Sequence, residues 1–411
     1  MGAQDKLNAT RYHDEMAHDA LKGRQRTTPR CRVLFVSTAS RPGGAECSLE
    51  LLIRSLEAHG IASSLVRPDG GLSSALLANR HIKHFGTSVF EPVRHPSFGQ
   101  AVRLVTRWIR GTIAIAWAIF LVRPQIVHAN TTSAMLVAML PAWLTRRPLI
   151  WHVRDMISLG YVGRLCGRLA SAVVAISNAV QQNLLHQGVP AKKIHLVYNG
   201  VEASFGNLPL SDHARRHIRQ EFGFSNDAFV YLNVGQFVAW KRQDLFLRAA
   251  AEVIKSNNDA RFLIVGGQPT AGDPGCQSCL ENLVKQLNLS RHAVIHGWRH
   301  DIGSVLAATD ALVHATEIEP FGRIIIEAMQ VGLPVIAVRG GGPKEIIEDG
   351  KSGLFATGQN TKDLASLMLR VQKHPELAKQ LTENARRRVR DMFTAEHTTQ
   401  SVVDLYHQVS C

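Results

Sequence analysis

Residues 319–329 read EPFGRIIIEAM and come shortly after the apolar tetrad Ala311–His314, ALVH. The tetrad has the length and composition of a buried strand, and the apolar spacing behind it is helical, so the stretch reads as strand, loop, helix. Pro320 suits the first turn of that helix, and Gly322 lets a ligand come close to the backbone. The helix N-terminus offers unpaired N–H groups and a positive dipole end. Glu319 then stands in the loop above the terminus, and Glu327 lies about two turns below it. Two carboxylates so placed can hold different parts of one elongated ligand, and sugar or ribose hydroxyls suit them because a carboxylate takes two donors. For a single glutamate taken alone, a helix cap or a solvated side chain is the commoner role.

Outward from this segment, strands and helices alternate in two blocks. The first begins at residues 31–37 (CRVLFVS), with helical periodicity over 46–59 and further buried-strand runs at 125–129, Leu149–Val153, 172–176 and 193–197. The second restarts at 229–234 (FVYLNV) and continues through 262–265, Ala293–His296, Ala311–His314 and 334–338. Residues 202–227 between them are polar and charged, which puts a linker near 204–209. The expected class is α/β, with two Rossmann-like parallel sheets facing a cleft. In such sheets ligands bind beyond the carboxyl ends of the strands. The expected division is a flexible extension (1–30), a first domain (31–204), a second domain (205–390) and a closing segment (391–411).

Other motifs sit at the predicted strand ends. Residues 235–243 read GQFVAWKRQ, residues 340–347 GGGPKEII after an apolar strand, residues 350–353 GKSG before Leu354, and residues 197–201 VYNGV. Together with EPFGRIIIEAM and the C-terminal stretch 393–406, these resemble the retaining glycosyltransferases of family 4, which have the GT-B fold. The resemblance runs from about Cys31 to the chain end, and it implies that 31–204 is the acceptor-side domain, 205–390 the nucleotide-sugar-binding domain and 391–411 a helix crossing back to the first domain. It implies a nucleotide diphosphate sugar as co-substrate, with no resident cofactor or metal. On the matching positions it implies donor binding by Gly44, Gly235, Gln236, Lys241, Arg242, Phe321, Gly322, Arg323, Ile324 and Glu327, and catalytic roles for His152 and Glu319. Lys241 would stabilise the diphosphate as it leaves, Glu319 would bind the sugar and Glu327 the ribose. Gln236 departs from the arginine usual in the family. Either Arg242 or Arg323 replaces that charge, or donor binding is weaker.

In the first block, PGGAE at 42–46 reads either as a glycine loop approaching the ligand or as a simple helix-entry turn. WHVRD at 151–155 ends a strand, and the resemblance puts His152 near the sugar, where without it a structural histidine would be the ordinary reading. The chain holds no D-x-D triplet, no G-x-x-x-x-G-K-[ST] run and no G-x-G-x-x-G after the first strand. Those absences argue against a chelated metal, a nucleoside triphosphate and a dinucleotide respectively.

The net charge of +14 attracts polyanions without choosing among them. Arg94, Arg103, Arg107, Arg110 and Arg123 flank an apolar run at 113–122 with Trp108 and Trp117. That pattern suits an anionic membrane surface and equally a buried helix with a basic rim. The run is shorter than the roughly 18 residues a bilayer requires, so no transmembrane helix is expected. Six irregularly spaced cysteines suggest no disulfide framework, and the Cys276–x–x–Cys279 spacing, lacking a second ligand pair, reads as part of a Gly-rich surface loop. The segment before Cys31 has no apolar core of the kind a signal peptide requires.

The expected function is transfer of a hexosyl-type sugar, from a UDP- or GDP-sugar, to a saccharide or lipid-linked acceptor in polysaccharide or glycolipid biosynthesis. A nucleotide-sugar epimerase and a non-catalytic binding protein are the alternatives. The expected location is cytoplasmic or peripheral on the inner face of a membrane, with no nucleic-acid partner.

Overall fold

The computed structural model describes residues 31–39, 43–68, 81–90, 97–206, 211–267 and 276–410. The expected extension, Pro42, Arg94 and part of the expected linker lie outside the described residues.

Two fully parallel sheets form the frame. The first contains β1 (Cys31–Val36), β2 (Ile61–Arg67), β3 (Lys83–Gly86), β4 (Ile126–Ala129), β5 (Leu149–Val153), β6 (Ala172–Ala175) and β7 (Ile194–Leu196), ordered β3-β2-β1-β4-β5-β6-β7. The second contains β8 (Val230–Val234), β9 (Arg261–Val265), β10 (Ala293–His296), β11 (Ala311–His314), β12 (Val335–Val338) and β13 (Leu354–Ala356), ordered β10-β9-β8-β11-β12-β13. The central strands are largely apolar and buried on both faces, as parallel strands covered by helices must be, with His128, His152 and His314 as buried polar residues near their carboxyl ends. Strand order reverses between β1 and β4 and between β8 and β11, and those switch points are where ligands enter folds of this kind.

Three strands escape the sequence reading. In β2 the buried pair Ser63 and Ser64 interrupts the apolar run, β3 is only half-buried, and β13 has three residues.

One expectation needs correction. The apolar run at 113–122 is the end of a 25-residue helix, Phe98–Val122, long and apolar enough by length and composition to cross a membrane. It starts at a capping box in which the Ser97 hydroxyl accepts from the Gln100 N–H and the Gln100 side chain accepts from the Ser97 N–H. The arginines of its first half break the apolar pattern and hide that beginning in the sequence. The helix is nonetheless part of the packed domain, since Ile115, Ala118 and Ile119 join the sheet core.

The other face of the first sheet packs against the helix Gly44–Ala58 and the closing helix Ala395–Ser410, which contributes Val402, Val403, Leu405 and Tyr406 to that core. The chain returns across a β-bridge between Val201 and Thr394. There the Val201 N–H donates to Phe393 O (2.9 Å) and the Ala395 N–H to Val201 O (3.0 Å).

Candidate functional site

The EPFG loop leaves β11 and enters the helix Arg323–Val331, whose N-cap is Gly322 in a left-handed conformation, φ 99°. Pro320 therefore precedes the helix and is not in its first turn. Glu327 lies one turn in, at i+4 from Arg323, closer to the terminus than the sequence suggested. The Gly340–Gly342 run packs onto this loop. A Cβ on Gly340 would lie 2.0 Å from Glu317 O and one on Gly342 2.4 Å from Phe321 Cα, while the Gly342 N–H donates to Glu319 O at 2.8 Å. Those glycines hold the loop in shape.

Glu319 is buried, and its carboxylate meets the Lys241 ammonium and lies 3.4 Å from His314 Nε2. Burial acts to raise its pKa, but the Lys241 charge and the His314 contact outweigh it and hold Glu319 down at about 2. Lys241 ends a short turn after β8 and stands 4.3 Å from the centre of the Trp240 ring. Its carbonyl accepts from Thr316 Oγ1 (3.2 Å). Gly235 opens the same loop, and the Gln236 carbonyl accepts from Gln243 Nε2 (2.9 Å).

Neither arginine proposed as a substitute for the missing charge stands free. Arg242 pairs with Asp244, its Nε and Nη2 at 2.9 and 3.1 Å from the carboxylate. Arg323 donates to Glu327 Oε1 from Nη2 (2.5 Å) and Nε (3.1 Å), and from Nη1 to Gly44 O and Ser48 Oγ, both at 3.2 Å. Arg323 thereby ties the helix Arg323–Val331 to the Gly44–Ala58 helix. Phe321 turns its ring into the core against Tyr198 and Phe393, at 6.2 and 6.0 Å between ring centres. Ile324 packs partly buried against the same core. The Cys276 and Cys279 pair belongs to the helix Cys276–Gln286, where a loop was expected.

On the opposing side His152, last but one in β5, is buried and has no hydrogen-bond partner for Nε2 among the described residues. Its Nδ1 lies 3.1 Å from Nε2 of His128, the last-but-one residue of the neighbouring β4, and 3.4 Å from Arg154 Nη2. His128 Nδ1 is 2.7 Å from the Tyr406 hydroxyl on the closing helix. Burial, helped by the Arg154 charge, lowers the pKa of His128 to about 3 and that of His152 well below its usual value. Burial also lowers Arg154 to about 9 and raises the Glu46 carboxyl. Arg154 donates to Asn130 Oδ1 (2.9 Å) and Asn199 Oδ1 (2.7 Å).

The EPFG loop and the short helix Pro343–Ile346 are both clasped to the first unit. Ser177 Oγ donates to Pro320 O (2.6 Å), and the Glu345 carboxylate accepts from the Asn178 and Ala179 N–H groups (2.8 and 3.0 Å) at a helix N-terminus. Arg154, Glu46, Glu345 and Tyr406 lie inside motifs quoted from the sequence but were given no role there, and His128 lies in a predicted strand and was not singled out. The signal for His128 was present: it and His152 occupy matching positions at the ends of two predicted strands.

Residues 42–205 match the family model described as Glycosyltransferase Family 4, and residues 214–388 that of Glycosyl transferases group 1. N-acetyl-alpha-D-glucosaminyl L-malate synthase of Bacillus anthracis is 26% identical over 58% of this chain and 60% of its own length. Mannosylfructose-phosphate synthase of Agrobacterium fabrum is 29% identical over 57% of this chain and 52% of its own. The chain thus spans between half and two thirds of the length of these curated relatives. Anabaena HepE, solved in complex with UDP and glucose, superposes with a TM-score of 0.78 at 25% identity, over 92% of this chain and 99% of its own.

Proposed function

The chain belongs to family 4 of the glycosyltransferases, and from that premise we propose that it moves a hexosyl-type sugar from a UDP- or GDP-sugar to an acceptor hydroxyl with retention. The observation that carries the reading is the Lys241–Glu319 pair at the N-terminus of the donor helix. A cation and an anion held together in a buried site can part to opposite ends of one ligand, Lys241 to the diphosphate and Glu319 to the sugar hydroxyls. Glu327, fixed by Arg323, takes the ribose. The acceptor oxygen attacks on the face the diphosphate leaves, and a leaving phosphate oxygen accepts its proton.

The nucleotide sugar is the co-substrate and no further cofactor is invoked. With no D-x-D triplet in the sequence, transfer is expected to persist in excess EDTA. Incubation with radiolabelled UDP- and GDP-sugars and saccharide or lipid-linked acceptors tests the reading, with label appearing in the acceptor. Interconversion of the sugar without transfer would identify an epimerase. Binding without either would identify a non-catalytic protein, a reading favoured by Gln236 and by the engagement of both nearby guanidiniums. Loss of transfer in EDTA, restored by magnesium or manganese, would overturn the metal-independent form.

The surface supports an acceptor at a membrane, as in polysaccharide or glycolipid assembly. Phe98, Val102, Val105, Ile109, Ile113 and Trp117 recur every three or four residues and are all exposed, Ile113 by 63%. At 3.6 residues per turn, the exposed Arg103, Arg107 and Arg110 lie along one side of that stripe. The neighbouring helices Thr132–Leu144 and Tyr161–Leu169 extend it with Trp143 (64% exposed) and Tyr161 (89%). An apolar face edged by cations matches an anionic bilayer surface. With the free cysteines of the described residues, it supports a cytoplasmic enzyme held on the inner face of the membrane.

A further inference from the structure

His152 carries into a buried site one polar atom, Nε2, that has no partner among the described residues, and the hydrogen-bond chain behind it determines what that atom is. Arginine has donors only, so His152 Nδ1, 3.4 Å from Arg154 Nη2, accepts. Nε2 of His128, 3.1 Å from the same nitrogen, must then carry its ring's proton. A neutral imidazole has one N–H, so His128 Nδ1 accepts from the Tyr406 hydroxyl at 2.7 Å. Reversing the chain would set an N–H of His152 against the N–H groups of Arg154. The burial of all three rings, Tyr406 included, keeps the imidazoles neutral and the phenol protonated.

We propose that Tyr406 and His128 are positioning residues that act with Arg154 to hold His152 in its Nε2–H tautomer, so that the C-terminal helix helps to make the histidine facing the sugar a hydrogen-bond donor. The donor reading rests on the proposed glycosyl transfer; the tautomer itself does not. A buried N–H without a partner is costly, and a sugar hydroxyl or ring oxygen is the class of group that satisfies it. His152 in this state polarises or orients an oxygen, and it is not poised to accept a proton from one. Tyr406 is separated from His128 by 278 residues of chain, so the device forms only when the closing helix docks on the first sheet.

The test reads the tautomers directly, by two-bond 15N–1H correlation spectra of the full chain labelled with 15N-histidine at pH 7.5, without donor. The expected parent spectrum has protonated Nε2 and bare Nδ1 on both His128 and His152. A protonated Nδ1 on either ring in the parent would overturn the proposal, whatever any variant does. Tyr406→Phe removes the donor to His128 Nδ1 and is expected to populate Nδ1–H on that ring, and on His152 to a smaller extent because Arg154 still opposes an N–H there. An unchanged pattern in this variant would also overturn it. His128→Gln places an amide N–H where Nε2–H stood and should leave His152 in its parent form, whereas His128→Phe should not. If both leave His152 alike, His128 is packing and the relay is wrong. Failure of sugar transfer would leave these spectra unchanged, so the two readings fail separately.

Discussion

Lys241 and Glu319 stand in two short, local motifs that a sequence displays; what the sequence did not convey is that the two side chains pair with each other. On the proposed reading, removing Lys241 costs the diphosphate its cation, and it leaves the buried Glu319 carboxylate without its ammonium partner. Loss of one charge-assisted contact costs about 1.5–3 kcal/mol, so Lys241→Ala should lower kcat/KM for the donor roughly ten- to a hundredfold. Arg242 and Arg323 are engaged elsewhere, and an unchanged kcat/KM would mean that one of them releases its carboxylate to take over. The histidine pair yields a second prediction at this scale. His128 titrates near 6.5 when unfolded and at about 3 when folded, and His152 is shifted in the same direction. Above pH 6.5 neither state binds the proton. Below it only the unfolded chain does, so stability falls with pH through that window, by about 1.4 kcal/mol per unit for each histidine. Urea unfolding at pH 7.5 and 5.5 should show this fall, and His128→Gln should remove roughly half of the histidine contribution. An identical pH dependence in that variant would mean that His128 is protonated in the fold.

At the scale of elements, the central strands were readable because a strand covered on both faces is a nearly continuous apolar run. The Phe98–Val122 helix was only half readable. Its inner face reaches the sheet through few side chains, its outer face is apolar and exposed, and its arginines lie between the two, so no single hydrophobic period dominates its first half. Arginine charges at the surface act over a Debye length of about 8 Å at physiological ionic strength, whereas apolar insertion is insensitive to that screening. Replacing Arg103, Arg107 and Arg110 with Gln should therefore reduce cosedimentation with anionic vesicles at low salt and matter little at high salt. Changing Ile113 and Trp117 to Ser should weaken vesicle binding at both. Donor affinity, assigned to the second sheet, should be unaffected by either set. If the parent chain ignores anionic vesicles, the exposed stripe has another partner and a soluble acceptor is favoured.

For the whole molecule, the decisive feature is that the chain crosses between its two sheets twice, at Val201 and again at Thr394, and that the crossings touch. Sequence alone could suggest a closing helix but not that its register is set by a single glycine. A Cβ on Gly200 would lie 2.2 Å from Thr394 O, a backbone atom that moves only with the start of the helix Ala395–Ser410. That helix brings Tyr406 to His128, so the crossing and the buried relay are mechanically one unit. Gly200→Ala is accordingly expected to destabilise the fold by about 1–3 kcal/mol, the usual range for forced overpacking, and to disturb the His128 and His152 resonances although neither residue is altered. Gly99→Ala is the matched control. Nothing lies within 4 Å of a Cβ there, and the residue sits inside a helix, where alanine is preferred. Thermal and urea denaturation should show a loss for Gly200→Ala and none for Gly99→Ala. A Gly200→Ala protein with parent stability and parent histidine spectra would mean that the closing helix can shift its start without moving Tyr406, and the coupling of the crossing to the site would be refuted.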